Sequence, residues 1–122
     1  ALIVYYGEWR SLGDTFQAVK DHAPTDPLAA PGDADLTAHV DFEALAEDAP
    51  CAHARLIPQG TLLFRLGIEP RKEALARNLT GAARDSHLAA FQRLTGPEEM
   101  GRLFKVLALH PKALPPPPGF DP

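Results

Sequence analysis

Apolar side chains open the chain as an unbroken block, ALIVYYG at residues 1–7, before any charge intervenes. A short run of this kind closed by glycine predicts a buried strand of an α/β sheet, with neighbours on both edges and helices on both faces. Such a strand is a poor beginning for a complete domain, so the chain is expected to be the later half of a larger α/β enzyme. Over residues 8–32 the periodicity lapses. Gly13, Pro24, Pro27, Pro31 and Gly32 predict a long loop there, with one helical turn near residues 15–20. Loops of this length in compact domains usually serve a function. Asp41 then offers an N-cap, Phe42, Leu45, Ala46 and Ala49 share one helical stripe, and Pro50 is a stop, which predicts a short helix over 42–49. Residues 52–58 follow as a strand.

From Gln59 onward the period changes. Leu62, Leu63 and Leu66, then Leu75, Ala76 and Leu79, then Leu88, Phe91 and Leu94 fall at helical spacings, predicting three short helices broken at Gly67, Pro70 and Gly81. Thr95, Gly96, Pro97, Glu98 and Glu99 resemble a further helix start. LFKVLALH at 103–110 fits either an extension of that helix or a last strand. Pro115 to Pro118 predict an extended surface tail. The chain is thus expected to be one portion of a single domain: strand, loop, helix and strand over 1–58, helices over 59–99, a last strand or helix over 100–110, and a proline-rich tail over 111–122.

Composition narrows the function. At 122 residues and 45% hydrophobic, the chain bounds one modest domain or a piece of one. Its net charge of -4, with scattered Lys and Arg, argues against a nucleic-acid footprint, and no apolar run approaches the ~20 residues of a membrane span. Cys51 is the sole cysteine, which removes an intrachain disulfide or a thiolate zinc cluster and points to a reducing compartment. The start carries no secretory-type leader.

Candidate chemistry centres on GDADLTAHVDF, where Asp33, Asp35, Thr37, His39 and Asp41 recur at every second position. His39 between carboxylates fits a general base or a metal ligand whose second nitrogen is oriented by an acid. The same residues fit turn and N-cap duties, with His39 an ordinary polar residue, and spacing alone favours that plainer reading. His22, His53, His87 and His110 show no metal-ligand spacing, so no metal is expected. Ser11 and Ser86 lack a nucleophile-elbow context, and Cys51 fits a small packed residue. Tyr5 and Tyr6, at a strand's carboxyl end, fit ligand stacking and core packing equally.

ALIVYYG, GDTFQAV, PGDADLTAHVDF, PQGTLLFRLGI and MGRLFKVLAL occur in an order that resembles the MidA-type methyltransferases, a class I S-adenosylmethionine-dependent family. Its mitochondrial members methylate an arginine of a respiratory complex I subunit. The resemblance spans almost the whole chain and implies the carboxyl-terminal half of a Rossmann-like sheet, with 1–6 a central strand, the strand near 55–57 its neighbour, LFKVLAL the last, antiparallel strand, and a helical insertion before it. It implies catalytic duties for His39, Asp35 and Asp41 and a substrate or cofactor pocket of Tyr5, Tyr6, Gly7, Thr37, Gln59 and Gly60. Tyr5 departs from the family, which usually has Asp there. The resemblance implies S-adenosylmethionine as cofactor, held chiefly by a glycine-rich loop outside this chain. It further implies a protein substrate such as a complex I subunit, a homodimer as one assembly, and a bacterial cytoplasmic or mitochondrial-matrix setting. A non-catalytic interaction module on the same fold is the alternative.

Overall fold

A computed structural model describes residues 1–9 and 13–120, so Ser11 lies outside the described residues. Its organising strand is the last one. β7 (Phe104–His110) pairs antiparallel with β1 (Leu2–Tyr6) along one edge and with the short strands β5 (Ala52–His53) and β6 (Ile57–Pro58) along the other. Val106 faces Val4 on one side and Ile57 on the other. The ambiguous LFKVLALH segment is therefore a strand, buried enough on both faces to be apolar throughout.

This order corrects two expectations. The strand near Ile57 is not the direct neighbour of β1, because β7 lies between them. Among the described residues β1 pairs only with β7, so one edge of it stays open, and Leu2, Val4 and Tyr6 remain exposed. The expected strand over 52–58 is interrupted at 54–56, where Ala54 turns its side chain into the core.

Alternation along β7 builds two cores. Leu107 packs beneath α1 (Phe42–Asp48) against Phe42 and Ala46, with Ile3, Tyr5 and Val40 around them. Val106 and Ala108 point to the other face and meet Ile57, Leu62 of α2 (Gln59–Arg65) and Phe120. A sheet covered on both faces is the layering an α/β sequence requires. Phe120 is 6% exposed, and Arg65 Nη1 donates to the Gly119 carbonyl at 3.1 Å, so the tail folds back into the core instead of ending as a surface segment.

The expected loop over 8–32 carries two strands of a second sheet, and the helical turn expected near 15–20 is a strand. β2 (Gln17–Lys20) pairs with β3 (Ala23–Thr25) and β4 (Asp35–Thr37), both antiparallel. Asp21 and His22 turn the β2–β3 hairpin at φ values of 51° and 62°, the backbone that a two-residue turn needs to match strand twist. Pairs such as Val40 N–H to the Tyr6 carbonyl at 3.0 Å and Glu43 N–H to the Trp9 carbonyl at 2.8 Å close the base of this excursion.

Helix α1 begins where the N-cap signal placed it. The Asp41 carboxylate accepts the Ala44 N–H at 3.0 Å. Asp41→Ala is expected to cost about 1 kcal/mol, read as a lower urea midpoint at unchanged slope. The helices α2, α3 (Ile68–Ala76) and α4 (Gly81–Thr95) follow as the spacing predicted, and α5 (Met100–Leu103) leads into β7. A Cβ on Gly60 would lie 3.0 Å from the Thr95 carbonyl oxygen and 3.1 Å from that of Gly101, so α2, α4 and α5 meet through glycine.

Candidate functional site at the strand ends

β1 and β6 run in the same direction, both antiparallel to β7, so Tyr6, Pro58 and the first residues of β7 gather at one edge of the sheet. The carboxyl ends of the parallel strands face this edge, the usual ligand side of an open α/β sheet. Two clefts lie there. The smaller, about 200 Å³, has Tyr6, Gly7, His39, Arg102 and Leu103 in its wall. The larger, about 610 Å³, is lined by Trp9, His53, Arg55, Leu56 and Pro58. Glu8 and Lys105 belong to both walls, and their ion pair, Nζ to Oε1 at 3.3 Å, stands where the clefts meet.

Each expected site residue has a definite place. Tyr6, Gly7 and His39 come together at the smaller cleft. Tyr6 is held ring to ring with Phe104, centroids 4.3 Å apart, and the His39 backbone N–H donates to Thr15 Oγ1 at 3.0 Å, which fixes the loop carrying its exposed imidazole. Gly7 is buried beneath Val40 and Phe42 at φ 150°, a conformation L side chains rarely adopt.

The other residues stand elsewhere. Asp35 sits in β4 opposite Val19, and Thr37 opposite Gln17, both in the smaller sheet. Asp41 spends a carboxylate oxygen on the helix cap. Tyr5 packs against the Phe42 and Leu107 core, and its neighbour Tyr6 carries the exposed face. Gln59 is 8% exposed, and its Nε2 donates to the Leu94 carbonyl at 2.9 Å, pinning α2 to the end of α4. Neither Gln59 nor Gly60 lines either cleft.

Sequence reasoning missed Glu8, Trp9, His53 and Lys105. Trp9 is half-exposed, its Nε1 donating to Glu43 Oε1 at 3.0 Å and its ring 5.8 Å from that of His53. The signal available for it was the lone Trp three residues beyond a strand end, a place where amphipathic rings meet ligands. Among the described residues, no group of three His, Cys, Asp or Glu side chains could hold a metal ion, and no helix is long and apolar enough to cross a membrane. Tyr6 and Gly7 set an aromatic face beside a side-chain-free backbone in the smaller cleft. Neither cleft adds a glycine-rich strand-to-helix turn, so these residues do not make a complete cofactor site alone.

The cleft opens at the strand ends beside an antiparallel last strand. Residues 1–59 match the family described as "Putative S-adenosyl-L-methionine-dependent methyltransferase". The particular relatives are more specific. The protein arginine methyltransferase NDUFAF7 homolog, mitochondrial, of Drosophila melanogaster is 39% identical over 93% of this chain and 27% of the relative. The human protein arginine methyltransferase NDUFAF7, mitochondrial, is 40% identical over 91% of this chain and 26% of its own length. A Burkholderia thailandensis crystal structure holding S-adenosyl-homocysteine matches 99% of this chain and 32% of that one, with a TM-score of 0.71 and 27% identity. The chain spans about a quarter of the length of the curated relatives it matches.

Proposed function

We propose that this chain forms the carboxyl-terminal portion of a methyltransferase domain that modifies an arginine side chain of a protein. The observation that carries the reading is the similarity to arginine methyltransferases along 93% of the chain, combined with Tyr6, Gly7 and His39 gathered around one strand-end cleft. In this reading residues 1–58 and 100–110 supply sheet, 59–99 insert helices beside it, and the tail closes one core through Phe120.

S-adenosylmethionine, bound mainly by residues outside this chain, would supply an electrophilic methyl group. The residues present here position the acceptor. His39 takes the proton that the substrate nitrogen gives up, Tyr6 and Gly7 form the floor beside it, and Asp35, Thr37 and Asp41 hold the His39 loop through the smaller sheet and the α1 cap. Placing Gln59 in the α2 to α4 contact and Tyr5 in the core makes both supports of the cleft. The named relatives are mitochondrial, which supports a mitochondrial-matrix setting, and the family resemblance adds a respiratory complex I subunit as the proposed substrate protein.

The test uses the longer protein that contains this segment. Calorimetry is expected to register S-adenosylmethionine binding, and His39→Ala to lower kcat for arginine-peptide methylation at least 100-fold with cofactor affinity unchanged. No binding of S-adenosylmethionine would sink the enzyme reading.

A second reading, a non-catalytic interaction module, is favoured by the exposed apolar residues on the helices, Phe64, Leu66, Leu75 and Leu88. It predicts partner capture without methyl transfer, and loss of that capture on Leu66→Glu with Leu75→Glu. A self-association through the open edge of β1 would appear as a dimer in equilibrium sedimentation.

A further inference from the structure

We propose that the larger cleft binds the guanidinium of an arginine side chain, stacked on Trp9 and gripped at its edge by Glu8. The inference rests on the arginine-methylating reading and assigns it a recognition site in this chain. Three observations carry it. Trp9 is an aromatic face presented to the cleft and fixed from behind, because its Nε1 is tied to Glu43 Oε1 at 3.0 Å and its carbonyl accepts the Glu43 N–H at 2.8 Å. His53 stands 5.8 Å away with its ring inclined by 40°, a second ring in the same wall. Glu8 has a 71% exposed carboxylate, of which Oε1 alone meets Lys105 and Oε2 has no protein partner among the described residues.

Lys105 is spoken for. Its side chain is 15% exposed, and Nζ donates to the Arg102 carbonyl at 2.8 Å as well as meeting Glu8 at 3.3 Å. The ammonium thus occupies one side of the carboxylate and orients the other toward the cleft. A planar guanidinium suits what remains, since it offers paired N–H donors to a carboxylate edge and a delocalised cation to an indole face. An ammonium would use one of these contacts at a time. Glu8, common to both walls, places the bound guanidinium where the larger cleft meets the one lined by Tyr6 and His39.

Trp9 is the only tryptophan in the sequence, so its fluorescence reports on this cleft alone. Titration of the 122-residue chain with acetylated, amidated Gly-Arg-Gly is expected to give a saturable change in emission. The same peptide with citrulline, a neutral isostere, is expected to give none, and Glu8→Gln to weaken the arginine response about tenfold at an unchanged circular dichroism spectrum. An equal response to citrulline, a response to Gly-Glu-Gly instead, or no saturable change would each overturn the assignment. In the longer protein Glu8→Gln is expected to raise KM for an arginine peptide about tenfold with kcat within twofold. A fall in kcat at constant KM would overturn it as well. Methyl transfer without the fluorescence response removes this site and leaves the enzyme reading standing, whereas binding without transfer does the reverse.

Discussion

Phe42→Ala is expected to remove a large share of the stability of this chain. The ring is 0% exposed and fills the space between α1 and the sheet, touching Ala46, Leu107 and the half-buried Ile3, Tyr5 and Val40. Truncating a fully buried phenylalanine costs roughly 3–5 kcal/mol, the lost transfer energy plus the cavity left behind. Against a total of about 5–15 kcal/mol for a domain, that is a large share. Urea denaturation followed by circular dichroism should show the midpoint falling steeply with the slope retained. Leu45, on the outward side of the same helix and 38% exposed, is the control, and Leu45→Ala should cost roughly 1 kcal/mol. Similar losses at both positions would contradict the packing described for α1.

Gly7→Ala is expected to act nearly as strongly by another route. A Cβ there would overlap the Val40 carbonyl oxygen and stand 3.1 Å from the Phe42 ring, while φ 150° is strained for any L side chain. Backbone strain of that kind costs on the order of 1–3 kcal/mol, and the collision with a fixed carbonyl adds to it. A loss of about 3 kcal/mol should lower Tm by roughly 10 °C in a chain of this size. Pairing the change with Phe42→Leu separates the two contacts. The smaller side chain relieves the ring and not the carbonyl, so the double variant should stay well below the Phe42→Leu parent. Full recovery would show that only the ring was crowded. Because Gly7 also floors the smaller cleft, this variant is a poor probe of chemistry and a good one of folding.

Helix positions were largely legible because their signals are local. Asp41 followed by a Phe42, Leu45 and Ala46 stripe predicts α1, and the structure starts it there. LFKVLALH was open because a strand covered on both faces and a buried helix show the same unbroken apolar run. The smaller sheet escaped notice for a different reason. Its strands are three or four residues long and separated by Pro and Gly, too short for a period to register.

The site was legible in part. Tyr6, Gly7 and His39 do converge, although they lie far apart in sequence, because the chain leaves the sheet at Trp9 and returns at Val40. Tyr5 and Tyr6 look equivalent as letters, yet alternation sends one to the core and the other to the cleft. Gln59, polar and next to a strand end, invites a pocket role. Only the position of the Leu94 carbonyl shows that its amide is already used. Lys105 and Glu8 are joined by the pairing of β1 with β7, and that register has no local sequence signature.

The position of β7 has a consequence for how the molecule is made. Among the described residues every strand of the main sheet bonds to β7 and to no other, so the pairing of Leu2 waits for Ala108, and that of Ile57 for Val106. In the meantime the hairpin, α1 and the helices form by their own short-range contacts. The sheet then closes in one late event, when the final apolar segment slides between waiting edges. Non-local closure of this kind is slow and leaves ALIVYY exposed throughout. A chaperone that binds extended apolar segments would find β1 available until β7 arrives to cover its edge.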